Sequence, residues 1–263
     1  MRPLFTTVKA AAVAAALFLA PALGAGEARA QGHDVINLPD TKFTFDGPFG
    51  TFDRASAQRG FQIYKEVCSS CHSMRQLSYR HLTGIGLNAA QIAALASQFQ
   101  VQDGPNDNGE MFERPARAAD HFRRPFANDA AARAANNGAL PPDLSVIVKA
   151  REGGADYIHA LLTGYEEPPP GVTVAEGMNY NKYFPGHQIA MAAPLNTDGQ
   201  VEFADGTNGT IDQMATDVTT FLSWAAEPEL EQRRAMGVRM VIFLSILGGL
   251  AYAVKRKLWA DLH

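Results

Sequence analysis

One pentapeptide, Cys68-Ser69-Ser70-Cys71-His72, constrains this chain more than any other stretch. It reads C-x-x-C-H, the attachment motif of a c-type haem, in which both thiols bond vinyl groups of one porphyrin and the histidine ligates the iron. The chain has 263 residues and only these two cysteines, so no disulfide framework or Cys-rich metal site competes for the thiols. The motif therefore predicts one haem c, covalently bound through Cys68 and Cys71 with His72 as an axial ligand.

Two other interpretations of the motif stay open at this point. A redox-active dithiol would need a βαβ context, and the neighbouring sequence shows none. A chance C-x-x-C-H is the third possibility, which the lack of any other cysteine disfavours. The haem interpretation makes two demands on the rest of the chain, an export route and a second axial ligand.

Residues 1–30 have the pattern of a secretory signal peptide. Arg2 and Lys9 give a positive start, residues 10–20 are apolar, and Ala28-Arg29-Ala30 has the small-x-small form of a cleavage site. A transit peptide is the alternative, but the stretch is rich in Ala and Leu rather than in Ser and Arg. We therefore expect a bacterial exported protein whose haem domain lies in the periplasm.

A second apolar segment, residues 236–254, is long enough to cross a membrane as a helix. Lys255-Arg256-Lys257 ends it abruptly, and Tyr252 and Trp259 are placed like interfacial aromatic residues. A buried helix of a soluble protein is the alternative, since Arg239 and the pair Gly248-Gly249 interrupt the run. The predicted domains are a haem domain at 31–232, a single-pass anchor at 233–254 in the inner (cytoplasmic) membrane and a cytoplasmic tail at 255–263.

The predicted exported domain is acidic. Residues 31–232 contain 14 Lys and Arg against 25 Asp and Glu, a net charge of −11, whereas the whole chain carries −4. This charge disfavours nucleic acid and anionic lipid as partners, and it attracts basic proteins. The more specific explanation of this charge is a basic redox protein as partner. The simpler explanation is that the charge only keeps the domain soluble.

The pattern along the chain predicts a mainly α fold, a c-type cytochrome domain with long loop insertions and one C-terminal transmembrane helix. Asp53, Asn88, Asn128 and Thr210 are each placed to begin a helix. A further short helix is expected at residues 155–162, and residues 101–128 read as irregular. Residues 166–194 are rich in Pro and Gly and too long for a simple connector, and loops of this length are usually functional or disordered. Residues 200–206 suggest a small hairpin.

The second axial ligand should be a distant Met or His. Met191 lies in an apolar stretch between prolines, where packing could hold its thioether against the iron, and it is the preferred candidate. Met178 has polar neighbours, and His187 is the rival that would give a lower reduction potential than His/Met ligation. The other candidates are less suitable: Met214 lies on an apolar helix face, Met236 and Met240 belong to the anchor, Met74 is too close to His72, and Met111 sits in a polar loop. The remaining histidines offer no local argument: His33, His81, His121, His159 and His263.

Besides the haem motif, several segments stand in a distinctive order along the chain: 50–55 (GTFDRA), 114–120 (RPARAAD), 135–145 (ANNGALPPDLS), 161–165 (LLTGY), 183–191 (YFPGHQIAM) and 221–229 (FLSWAAEPE). With these segments the chain resembles the cytochrome c1 family, the haem subunits of ubiquinol–cytochrome c reductase (the cytochrome bc1 complex). The resemblance covers essentially the whole mature chain.

The resemblance implies Cys68 and Cys71 as thioether residues and His72 and Met191 as the iron ligands. It further implies that five residues line the haem, with Arg151 near a propionate: Asn136, Pro142, Ile147, Arg151 and Tyr157. Glu166 and Glu167 match an acidic stretch that family members present near the docking site for cytochrome c, although an ordinary loop tip is the alternative. The extra disulfide of some bacterial relatives is impossible here, because no spare cysteine exists.

The function that the resemblance implies is electron transfer from a Rieske iron–sulfur protein through the haem to a soluble, basic cytochrome c, in a complex with cytochrome b. The chain alone would not be an enzyme but the redox subunit of an oxidoreductase. Two other classes remain open. One is a membrane-anchored c-type cytochrome shuttle outside any reductase, and the other is a haem enzyme or sensor with an open or displaceable sixth ligand.

Overall fold

The structure, a computed structural model, describes residues 36–260 of the chain. The predicted signal peptide lies outside these residues. Six α-helices and two short antiparallel strand pairs form the described part, together with 3₁₀ turns at Cys68–Ser70 and Tyr79–Ile85. The helices are α1 (Arg54–Glu66), α2 (Ala89–Ala96), α3 (Asp129–Ala135), α4 (Gly154–Thr163), α5 (Ile211–Ala226) and α6 (Leu230–Trp259), and the strands are β1 (Gln100–Asp103), β2 (Phe112–Pro115), β3 (Asn179–Tyr180) and β4 (Gln188–Ile189). This architecture confirms the mainly α prediction.

Local capping explains where the helices begin. The Asp53 carboxylate accepts hydrogen bonds from the backbone N–H groups of the first turn of α1. Asn88 and Gln91 form a reciprocal capping box at α2, and the side chains of Asn128 and Thr210 cap α3 and α5. Each cap satisfies backbone donors that have no partner within the helix. The four predicted helix starts are confirmed.

Two of the loop predictions need correction. Residues 101–128 are not wholly irregular, because β1 pairs with β2 in the register Val101–Arg114. The hairpin expected at residues 200–206 is wrong. Gln200 instead turns its side chain back, donating from Nε2 to the Pro194 carbonyl at 2.8 Å and accepting from Asn196 N through Oε1. These bonds close a turn in place of a strand pair.

The core of the domain forms where α1 crosses α5. A Cβ built on Gly60 would lie 2.0 Å from the Asp217 carbonyl oxygen, so only glycine permits this close approach. Aromatic rings surround the crossing, with the Phe61 and Phe221 centroids 5.5 Å apart. The Arg59 guanidinium donates from Nε and an Nη atom to the fully buried Asp217 carboxylate at 2.7 and 2.9 Å. Packing and a buried ion pair thus fix α1, the helix that leads into the haem motif.

The last helix, α6, is long and apolar enough to cross a membrane. Its 30 residues span about 45 Å, the mean hydropathy of its most apolar window is 1.9, and none of that window is buried. This exposure argues against a buried core helix. The first turns join the domain through Glu231, which accepts from Phe52 N at 2.8 Å, and Arg234, which donates to the Phe45 and Gly50 carbonyls.

Candidate haem site

Helix α1 delivers the C-x-x-C-H motif directly into a tight turn. The Cys71 and His72 backbone N–H groups both donate to the Cys68 carbonyl, at 3.2 and 2.9 Å. Ser69 closes the junction by donating from Oγ to the Lys65 carbonyl at 2.7 Å. The turn follows α1 without a flexible linker, so the packing of α1 on α5 sets the position of the motif.

The His72 ring is held in a state that suits iron ligation. Its Nδ1 lies 2.8 Å from the Pro142 carbonyl oxygen, and since a carbonyl only accepts, Nδ1 carries the proton and donates. This tautomer leaves the lone pair of Nε2 available, as is usual for metal-ligating histidines. Burial lowers the pKa of His72, partly offset by the bond to Pro142, so the ring is neutral at pH 7.

The two thiols of the motif are not joined in a disulfide. Burial, together with the neighbouring Cys71, raises the pKa of the Cys68 thiol to about 12. Redox-active C-x-x-C motifs instead carry a cysteine with a lowered pKa. Two unpaired thiols beside a histidine of fixed tautomer match the donor set of a c-type haem, and they do not match a redox dithiol.

The segment at residues 141–151 lies against the haem motif and carries three of the predicted lining residues. Leu144 N donates to the Ser73 carbonyl at 2.8 Å, which joins this segment to the residue after His72. Pro142 supplies the acceptor for His72, and Ile147 is buried in the core. Arg151 is exposed, and its guanidinium donates to the Ala150 carbonyl.

Tyr157, on α4, is buried in the core of the domain. Burial raises the pKa of Tyr157, and the nearby positive charge of Arg151 opposes this. Burial also raises the pKa of Tyr165, with Tyr157 as a smaller contributor. Tyr165 in turn donates from its hydroxyl to the Met191 carbonyl at 3.1 Å. Of these residues, Tyr165 is the one that a hydrogen bond joins directly to Met191.

The loop that carries Met191 is organised by Asn181, a fully buried side chain. Its Nδ2 donates to the Leu161 carbonyl at 2.8 Å, and its Oδ1 accepts from Tyr183 N and Phe184 N at 3.0 and 3.1 Å. β3 and β4 pair on either side of this residue. Asn179 adds a longer bond to the Met191 carbonyl at 3.3 Å. The Met191 backbone is thus held by two side chains.

The rival ligands are placed differently. Met178 is partly buried, and its backbone N–H closes a turn on Ala175. The His187 ring stacks on Tyr180 with centroids 5.8 Å apart, and its Nδ1 lies 3.3 Å from the Asn181 carbonyl. His187 therefore helps to build the loop itself.

The remaining predicted residues lie away from these contacts. Asn136 ends α3, where its Nδ2 donates to the Ala132 carbonyl at 2.7 Å, and no hydrogen bond joins its side chain to the other predicted site residues in the part of the chain described. Glu166 and Glu167 are exposed.

Sequence reasoning missed four residues that hold the site: Tyr64, which donates to the His72 carbonyl, Asp143, Tyr165 and Asn181. Asp143 and Tyr165 lie in two of the segments that carry the family resemblance, but no spacing marks any of the four as a site residue, because their partners in these bonds lie 8 to 70 positions away in the chain.

A helical domain that presents a C-x-x-C-H turn and ends in one long apolar helix is typical of membrane-anchored haem proteins. A model of the Cytochrome C1 family matches residues 43–262. The chain is 50% identical to "Cytochrome b/c1" of Bradyrhizobium diazoefficiens, a match that covers 96% of this chain but only 40% of that relative. It is 48% identical to "Cytochrome c1, heme protein, mitochondrial" of Schizosaccharomyces pombe, covering 92% of the chain and 78% of the relative. The protein of that name from Saccharomyces cerevisiae is also 48% identical, with 90% and 76% covered.

The chain belongs to the cytochrome c1 family. The resemblance inferred from the sequence is thereby confirmed.

Proposed function

We propose that this chain carries one covalent haem c, attached to Cys68 and Cys71 and ligated by His72 and Met191, and that it is the electron-transfer subunit of a cytochrome bc1 complex. The observation that carries the proposal is the 2.8 Å contact from His72 Nδ1 to the Pro142 carbonyl, beside two unpaired thiols. It supports an Nε2 atom that is ready to ligate iron. Family membership and relatives named as heme proteins support the same cofactor.

The haem would supply a one-electron couple, and the protein would tune and shield it. His72 and Met191 would ligate the iron, a combination that gives a higher potential than two histidines. Ile147 and Tyr157, both buried, would exclude water from the ring, and Pro142 and Asn136 would complete the lining. Arg151 would offset the charge of a propionate. A site with two strong axial ligands favours electron transfer over chemistry at an open iron position, which disfavours a haem enzyme or sensor.

The partners in this proposal are cytochrome b and a Rieske iron–sulfur protein within the complex, with a soluble basic cytochrome c as the acceptor. The Bradyrhizobium relative is named for both b and c1, which supports membership of the complex. The net charge of −11 over residues 31–232 favours a basic acceptor, and the exposed Glu166 and Glu167 are candidates for its docking site. Electrons would flow from the Rieske protein to the cytochrome c.

The location in this proposal is the bacterial inner membrane. After removal of residues 1–30, the haem domain (31–232) would lie in the periplasm, the anchor (233–254) would cross the membrane once, and the tail (255–263) would be cytoplasmic. The bacterial relative and the exposed apolar helix α6 support a membrane anchor.

Purification from membranes in mild detergent tests the proposal. We expect haem-dependent peroxidase staining of the chain on a denaturing gel, and co-purification of a b-type cytochrome and a Rieske protein. A variant with both Cys68→Ser and Cys71→Ser should lose the stain, because no thioether could form. A stained chain that purifies without the other two proteins would support an anchored shuttle and contradict membership of the complex.

A further inference from the structure

The Asp143 carboxylate joins the segment after the haem motif to the segment that follows Pro142. Oδ2 accepts hydrogen bonds from Ser73 Oγ and Arg75 N, both at 2.8 Å, and from Arg75 Nε at 3.2 Å. Oδ1 accepts from Ser145 N at 2.9 Å, within its own segment. The side chain is 14% exposed, so these donors replace most of its contact with water.

The donors keep this carboxylate charged. Burial alone would raise the pKa of Asp143, but hydrogen bonds from Ser145, Arg75 and Ser73 outweigh it, and the pKa lies below its usual value. Hydrogen bonds to an ionised acceptor are roughly twice as strong as those between neutral groups. Asp143 therefore makes the strongest connection between the two segments.

Two further bonds align the same segments. Leu144 N donates to the Ser73 carbonyl at 2.8 Å, and Gln76 N donates to Ser145 Oγ at 3.1 Å. All of these bonds join residues that lie within a few positions of His72 in one segment and of Pro142 in the other. Because Asp143 directly follows Pro142, a fixed Asp143 backbone leaves the Pro142 carbonyl little freedom to move away from His72 Nδ1.

The strength of the bond at Nδ1 would affect an iron atom that His72 ligates through Nε2. A histidine that donates its second N–H to an acceptor is a more basic ligand. A more basic ligand stabilises ferric iron, which carries the larger positive charge, over ferrous iron. A shorter and straighter bond from Nδ1 to Pro142 therefore lowers the reduction potential, and a looser bond raises it.

We propose that Asp143 is the positioning residue that holds the Pro142 carbonyl against His72 Nδ1 and so sets the basicity of His72 as an iron ligand. The inference depends on the proposed haem function. Asp143 would thus help to tune the potential although its carboxylate bonds Ser73, Arg75 and Ser145 and not the side chain of His72.

The test compares three variants of the full chain, purified with its haem in detergent: Asp143→Asn, Ser73→Ala and Asp120→Asn. Asp120 also accepts several hydrogen bonds, from Arg114 and Arg117, but none from the segments around His72, so Asp120→Asn is a matched control. The midpoint potential is measured by redox titration, and the Nδ1 proton of His72 is followed by NMR.

We expect a positive shift of the potential in Asp143→Asn, a smaller positive shift in Ser73→Ala, and no shift in Asp120→Asn. The Nδ1 proton resonance should move in the first two variants in the same order. Ser73→Ala changes no charge, so its shift in potential separates positioning from the electrostatic effect of Asp143. If Asp143→Asn fails to incorporate haem, the potential of Ser73→Ala alone tests the positioning role.

Two results would overturn the inference. Unchanged potentials in Asp143→Asn and Ser73→Ala, with lowered melting temperatures, would make Asp143 a purely structural clamp. A shift in Asp143→Asn alone, with an unmoved Nδ1 resonance, would reduce its role to charge. Absence of covalent haem from the wild-type chain would instead contradict the proposed function, and the pyridine haemochrome assay detects this separately.

Discussion

The two sides of the candidate haem site are built in different ways. The His side consists of α1, the turn at residues 68–72 and the segment at 142–145, and it depends on helix packing, with a buried ion pair between Arg59 and Asp217. The Met side is the loop at residues 164–195, and side chains with no charge hold it by hydrogen bonds: Tyr165, Asn179 and Asn181.

The difference indicates which ligand the fold itself fixes more firmly. Helix packing buries apolar surface that stabilises the whole domain, so the His side persists as long as the domain is folded. Each hydrogen bond of the Met side contributes about 1 kcal/mol net, and such local structures open at lower free energy than the core. Ligand loss should therefore begin at Met191 while His72 stays in place.

The largest expected effect is on the His side, from Asp217→Ala. Removing this carboxylate leaves the Arg59 guanidinium, which is only 14% exposed, without its buried partner. Loss of one partner from a buried pair typically lowers the free energy of unfolding by about 3–5 kcal/mol. Denaturant unfolding followed by circular dichroism measures it. Asp205→Ala is the matched control, because Asp205 pairs with the same arginine at the surface, and equal losses from both variants would contradict the buried-pair account.

On the Met side, Asn181→Ala should open the loop without unfolding the domain. The variant loses three side-chain hydrogen bonds, worth together about 2–4 kcal/mol, and leaves partly buried backbone groups unpaired. We expect the near-infrared methionine–iron band to disappear at a lower denaturant concentration than helical structure. Asn179→Ala, which removes only longer bonds, should do this more weakly. If the band and the helices disappear together in Asn181→Ala, the Met side is not an independent unit.

A smaller effect is expected from Tyr165→Phe, which removes one hydrogen bond to the Met191 carbonyl and preserves the ring. The methionine band should persist in buffer and disappear slightly earlier in denaturant, by about 1 kcal/mol. The helical unfolding midpoint should stay closer to wild type than the band midpoint does. A band lost already in buffer would show that this single bond carries the Met side.

The smallest expected effect is a loss of stability at low pH. It should appear on the His side, where charged side chains form ion pairs, and not on the Met side. Bonds from Thr207 and Arg59 lower the pKa of Asp205 to about 2, from an ordinary value of 3.8. A lowered carboxyl pKa means stability that is present above the ordinary pKa and is lost as the pH falls toward 2. Hydrogen exchange between pH 4 and pH 2 should therefore rise first in α1 and its contacts. Asp205→Asn should flatten this response, and a response confined to residues 164–195 would contradict it.

The features that could be predicted from the sequence are those whose interacting residues lie close together in the chain. The caps Asp53 and Asn88 bond donors two or three residues away, so residue type and spacing suffice to find them. The haem motif is equally local. The Ser73–Asp143 bond spans 70 positions and the Asn181–Leu161 bond spans 20, and no propensity encodes such pairs. The hairpin predicted at residues 200–206 does not form, because the Gln200 side chain bonds the Pro194 carbonyl six positions earlier, a contact that the strand-like pattern does not reveal.

Ligation of one haem by His72 and Met191 is tested most directly by a pair of methionine variants. Met191→Leu and Met178→Leu make the same change in the same loop, so the midpoint potential and near-infrared spectrum of each purified protein report on ligation alone. Met191→Leu should lose the methionine–iron band and show a lower potential, because His/Met ligation raises it, while Met178→Leu should match the wild type. A Met191→Leu protein with the wild-type band and potential would contradict the account.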